Sequence, residues 1–130
     1  MRVYLASTAD ELKEFIADGT LDIDEVYAPT PIYSRTHPEM DDEEIEYSLS
    51  LLAAEDALEL ADEQSGAAVV LAFEIPVEVL GEFDEVSAVV QVPLVWTMME
   101  AIFLVSDVAD DLTWFAPQEA ENLIDEWMKR

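Results

Sequence analysis

Residues 33–37 are where side chains with different chemistries lie closest together. Tyr33, Arg35 and the only histidine, His37, fall within five positions. A histidine can give or take a proton near neutral pH, a guanidinium can hold an anion, and a phenol can donate a hydrogen bond. Together they could supply the polar groups of a ligand pocket, with His37 as acid or base. The plainer reading is a loop whose two cations offset nearby carboxylates, and the sequence favours it. Just downstream, residues 39–46 carry six carboxylates in eight positions. Paired carboxylates can do acid–base work when one raises the pKa of the other. Here they fall around all sides of a helix start, which favours a solvated helix terminus. Glu46 and the adjacent Tyr47 are the exception to watch. The candidate ligand-pocket residues are therefore Tyr33, Arg35, His37, Glu46 and Tyr47, and no catalytic residue is assigned.

Other chemistries are missing. There is no Cys, which removes disulfides, thiolate zinc sites, iron–sulfur ligation and Cys nucleophiles. One His makes tetrahedral zinc untenable. Asp22 and Asp24, and the pair Asp110-Asp111, offer oxygen ligands, but the 12-residue calcium loop with its central Gly is absent. The three glycines, Gly19, Gly66 and Gly81, are far apart, so no glycine-rich loop can cradle a phosphate. No nucleophile elbow occurs. No cofactor and no metal is expected. Trp96 with Met98 and Met99, and Trp114 with Phe115, could form a partner surface, but core packing is the commoner fate of such residues.

The charge is lopsided. The formal net charge is −26, and residues 36–128 include no Lys or Arg. Repulsion from phosphate backbones and anionic lipid disfavours nucleic acid and membrane surfaces as partners. A macromolecular partner is expected to present a basic face, a homo-oligomer stays open, and a small-molecule ligand is not identified. Hydrophobic residues make up 52 %, which is not the composition of a disordered acidic chain. A chain of 130 residues fits one domain, residues 1–130, and can bury roughly two thirds of its unfolded surface without staples. No basic-then-apolar leader opens the sequence, and apolar runs such as residues 67–73 fall short of the ~20 residues a membrane helix needs. A cytosolic protein is expected, consistent with the absence of Cys.

The elements that must position these residues read as βαβα–βββα. Strands are expected at residues 2–6, 23–28, 67–75, 86–92 and 100–105. Thr8 and Glu11 form a capping-box pattern for a helix over residues 9–18, which Gly19 can stop. Asp41 or Asp42 can cap a long helix to about Glu63. Its apolar stripe is expected from Ile45, Leu49 and Leu52 with Leu51, Leu58 and Ala61, and Ser65-Gly66 marks its stop. Residues 31–40 read as irregular, 76–85 as a connection, and 93–99 as a covered loop or short helix. Asp107 can cap a short helix through Phe115. Pro117 then suits the first turn of a terminal helix, with Leu123, Ile124 and Trp127 on its apolar face and Lys129 and Arg130 at its C-terminus. The fold class is α+β, with a mixed or mainly antiparallel sheet of about five strands and helices packed on it.

Several stretches carry a resemblance. The opening Met1-Arg2-Val3-Tyr4-Leu5, followed by a small residue and Thr8, resembles an uncharacterised family of short actinobacterial proteins. Glu44-Ile45-Glu46-Tyr47, and residues 101–107 leading into Leu112-Thr113-Trp114-Phe115, are similar too. The family looks like a domain of unknown function, so the resemblance implies no catalytic residue and no ligand. Two departures stand out: Ala6 replaces the Pro expected after Leu5, and the usual scattering of Arg is missing.

The favoured reading is a small cytosolic acidic domain that binds a partner protein or small ligand without catalysis. One alternative is a nucleic-acid mimic that occupies the basic groove of a nucleic-acid-binding protein. It needs carboxylates spaced like phosphates along one face, whereas the acids here are spread over several elements. Another is a small enzyme using carboxylates and His37. The charge also has an account without function, adaptation to high salt, against which the full complement of Leu, Phe and Trp argues. Whichever holds, added salt should stabilise so acidic a fold.

Overall fold

A computed structural model describes residues 1–63, 66–106, 108 and 110–129. The strands are β1 (Arg2–Thr8), β2 (Thr20–Leu21), β3 (Glu25–Tyr27), β4 (Ala68–Glu74), β5 (Leu80–Phe83), β6 (Ser87–Val90), β7 (Leu94–Val95), β8 (Met99–Val105) and β9 (Leu112–Phe115). The helices are α1 (Ala9–Asp18), α2 (Pro31–Thr36), α3 (Asp42–Glu63) and α4 (Ala120–Met128), with single 3₁₀ turns at Val77–Val79, Trp96–Met98 and Pro117–Glu119. Seven strands form one sheet in the order β5-β6-β3-β1-β4-β8-β9, and β2 pairs with β7 separately. Each of these pairings is antiparallel.

Strand alternation divides the interior in two. On β4, Val69, Leu71 and Phe73 join Val3, Leu12, Phe15, Ile102, Ile124 and Trp127 in a thick core under α1 and α4. The intervening Ala68, Val70 and Ala72 meet Ala53, Ala54 and Ala57 of α3 on the opposite face. The α3 seam is thus built of small side chains. Of the residues expected to form its stripe, Ile45 and Leu49 are buried in this cluster, whereas Leu51, Leu52, Leu58 and Ala61 are only half-buried flanks, since Ala53, Ala54 and Ala57 take the positions against the sheet.

Local signals fix the helix ends. The Thr8 hydroxyl accepts from the Glu11 amide at 3.4 Å, while the Glu11 carboxylate accepts from the Ser7 hydroxyl at 2.9 Å. Gly19, at φ 77°, donates to Phe15 and closes α1. A reciprocal box starts α3: Asp41 accepts from the Glu44 amide at 2.8 Å, and Glu44 accepts from the Asp41 amide at 3.4 Å.

The structure corrects several expectations. The sheet has seven strands, not about five. The expected second strand over 23–28 shrinks to β3, preceded by β2, and the fourth over 86–92 shrinks to β6. Residues 31–36 are helical, because Pro31 occupies the first turn and Thr30 caps it by accepting from the Tyr33 amide at 3.1 Å. The connection over 76–85 contains β5, and 93–99 holds β7 and a 3₁₀ turn. The short helix expected up to Phe115 is instead β9, in register with β8 from Val105↔Leu112 to Ile102↔Phe115. Its expected cap Asp107, the stop residue Ser65 and the terminal Arg130 lie outside the described residues.

Candidate functional site

α3, with Tyr33 of α2 packed in the same cluster, does not cover seven strands, so the sheet face under α3 is left open on both flanks. Toward β8 and β9 the opening is a cleft of about 370 Å³. Its floor is Phe103 of β8 and Leu112 of β9, both half-buried. Trp114 pairs with Phe103 across the strands, so both project on the α3 side. From α3, Glu43 and Tyr47 reach the cleft one helical turn apart, with Glu46 and Ser50 beside them. Tyr47 and Trp114 are each 57 % exposed. Two large aromatic faces therefore border an apolar floor, with two carboxylates alongside.

Arg2 closes the cleft at β1. Its guanidinium lies 5.8 Å from the centre of the Tyr4 ring, and its Nε is buried without a hydrogen-bond partner. Among the described residues it makes no ion pair, although the chain has 31 acids. Among the described residues the ion pairs are the N-terminal amine with Glu74 at 2.9 Å and Lys13 with Asp125 at 4.0 Å. Burial raises the Tyr4 pKa; Arg2 opposes this, and Glu46 and Glu100 add to it.

On the other flank, a depression of about 320 Å³ lies between α3 and β1, β3 and β6. The Tyr27 hydroxyl donates to Asp56 there. Burial pushes the Tyr27 pKa well up, and the Asp56 hydrogen bond and charge reinforce it, followed by Glu55 and Glu59. A phenol held this way is a proton donor locked to one acceptor.

The five residues singled out from the sequence separate into groups. Tyr33 is buried and its hydroxyl shares a hydrogen bond with the Ser48 hydroxyl. The His37 ring lies on Tyr33, with centroids 4.4 Å apart, and its Nδ1 is 3.2 Å from the Tyr33 carbonyl oxygen. Arg35 is exposed. Only Glu46 and Tyr47 reach the cleft, whose lining includes neither Arg35 nor His37. Sequence reasoning missed Arg2, Phe103 and Leu112. Trp114 and Phe115 were weighed together as surface or core, and the structure splits them. Phe115 packs edge-on against Trp127 with ring centroids 5.1 Å apart, while Trp114 stands exposed on the opposite face. The signal was available: neighbours on a strand face opposite ways.

Among the described residues no group of three or more His, Cys, Asp or Glu is arranged to hold a metal ion, and no helix is long and apolar enough to cross a membrane. What the cleft can do is hold an apolar group against Phe103, Leu112 and Trp114 while its aromatic faces and the Glu43 and Glu46 carboxylates attract a cation.

The model of a family of unknown function (DUF6912) matches residues 1–109, and the chain belongs to that family. The match stops short of β9 and α4. No curated protein and no solved structure matches the chain.

Proposed function

We propose that this DUF6912 chain is a binding domain without catalysis, and that its working surface is the cleft between α3 and β9. The partner is a protein that presents a basic segment carrying apolar side chains. The observation behind this reading is the exposure of Tyr47 and Trp114 on either side of one cleft, at 57 % each, beside Glu43 and Glu46. Apolar patches rimmed by polar residues mark interaction sites, and Trp and Tyr are enriched among the few residues that dominate the energy of an interface. The net charge of −26 selects the sign of the partner and speeds its approach.

The test uses two fluorescently labelled peptides of equal positive charge, one of Lys and Leu and the other of Lys and Ser, titrated at 0.15 M salt. The Lys/Leu peptide should bind at least about tenfold more tightly, or about 1.4 kcal/mol. Trp114→Ala or Tyr47→Ala should erase that difference. Equal binding of both peptides, unaffected by either substitution, would show only diffuse attraction to an acidic surface and would sink the reading.

A further inference from the structure

The two outer strands of the sheet are built differently. At one edge, β5 has an irregular register, pairing Leu80↔Val90 and then Phe83↔Ala88, and it carries Gly81 and the exposed Glu82. A break in register and a charge are among the means by which an edge is kept from pairing further. At the other edge, β9 holds four consecutive register pairs with β8. Its residues Leu112, Thr113, Trp114 and Phe115 include no charge, no Pro and no Gly. It lies last in the sheet order, with β8 as its one strand neighbour among the described residues. The Phe115–Trp127 contact holds it from the α4 side, and among the described residues no strand pairs with its outer edge.

We infer that β9 is a strand-addition site, where an extended basic segment of the partner protein pairs with the sheet as an eighth strand. This rests on the reading of the α3–β9 cleft as the binding surface, and it specifies how the partner lies there. Added beside β9, alternate side chains of the segment project on the α3 face, next to Trp114, Tyr47, Glu43 and Glu46. The ends of β9 are also acidic, with Asp110 and Asp111 before it and Glu119 after it, all exposed. Positive side chains on the added strand are thereby matched, whereas a second copy of this chain, also at −26, is repelled.

The probe is a ten-residue peptide alternating Lys with Val, blocked at both ends. Two isomers are made from it, each N-methylated on alternate amides, so that each loses the donors of one strand edge while keeping its charge and side chains. Binding is followed by anisotropy, and amide hydrogen exchange is read in Leu112–Phe115. Binding of the parent should slow exchange in β9, and methylation of one edge should weaken binding at least tenfold while the other is tolerated. Tight binding with β9 exchange unchanged, or with both isomers equal to the parent, overturns strand addition and leaves the cleft reading standing. A parent peptide that binds no better than the Lys/Ser peptide removes both. A dimer of the chain alone at micromolar concentration, with β9 exchange slowed by the dimer, overturns the basic-partner assignment in favour of self-pairing.

Discussion

Replacing Trp127 should separate the two layers of the molecule energetically. Trp127 is 1 % exposed in the core under α1 and α4 and meets Phe115 edge-on. A Trp side chain buries up to about 250 Å², and alanine would retain about 100 Å² of that. The roughly 150 Å² lost, at about 25 cal/mol per Å², comes to about 4 kcal/mol. The usual cost of truncating a buried aromatic, about 3–5 kcal/mol, agrees with this. A domain of this size holds only about 5–15 kcal/mol of stability, so Trp127→Ala should leave it folded but marginal. Urea unfolding followed by circular dichroism gives the value directly, with an unchanged slope certifying that the folded state stays compact. Trp114→Ala, from a side chain 57 % exposed, should cost less than half as much. A loss below about 1.5 kcal/mol for Trp127→Ala, or equal losses for the two, would refute the division between a core tryptophan and a surface one.

Three further outcomes are expected. Gly66 has φ +94°, and a Cβ there would come within 2.7 Å of the Ala9 Cβ; Gly66→Ala should cost about 1–3 kcal/mol in urea unfolding, and a neutral substitution would contradict the close approach. With −26 charges and few ion pairs, the Tm should rise between 0.05 and 1 M NaCl as the Debye length shrinks to about 3 Å, and a Tm that falls or stays flat would speak against surface repulsion. Tyr27 keeps its proton more firmly when folded than when unfolded, so the folded state binds more protons above the ordinary phenol pKa of about 10 and its stability falls as pH rises beyond that point. Tyr27→Phe should therefore flatten the loss of Tm between pH 9.5 and 11, and an unchanged alkaline slope would count against the Asp56 pairing.

What could be read from the sequence followed local signals. The bounds of α1 and α3 are set by caps at Thr8, Gly19 and Asp41, which are written within a few residues of each helix end. Residues 31–36 show little helical periodicity, yet Pro31 is at home in a first turn behind a capping Thr30. For β9, a cap at Asp107 suggests a helix through Phe115, and the three-residue spacing of Leu112 and Phe115 fits helix or strand alike. Only its pairing with β8, a non-local fact, decides. The i+3/i+4 pattern of α3 finds the buried Ile45 and Leu49 but not Ala53, Ala54 and Ala57, which meet the small Ala68, Val70 and Ala72 of the facing strand. The site followed the same rule. Glu46 and Tyr47 were reachable because they share a helix, while Arg2, Phe103 and Trp114 come from three strands that only the sheet order brings together.

Chemical-shift mapping of the ¹⁵N-labelled chain, titrated with the Lys/Leu peptide at 0.15 M salt, tests the assignment of the working surface most directly. Shifts should concentrate at Arg2, Glu43, Glu46, Tyr47, Phe103 and Leu112–Phe115, the lining of one cleft and its bordering strand. Shifts centred on Tyr27, Asp56 and Glu59 on the opposite flank of α3, or spread evenly over the acidic surface, would contradict it.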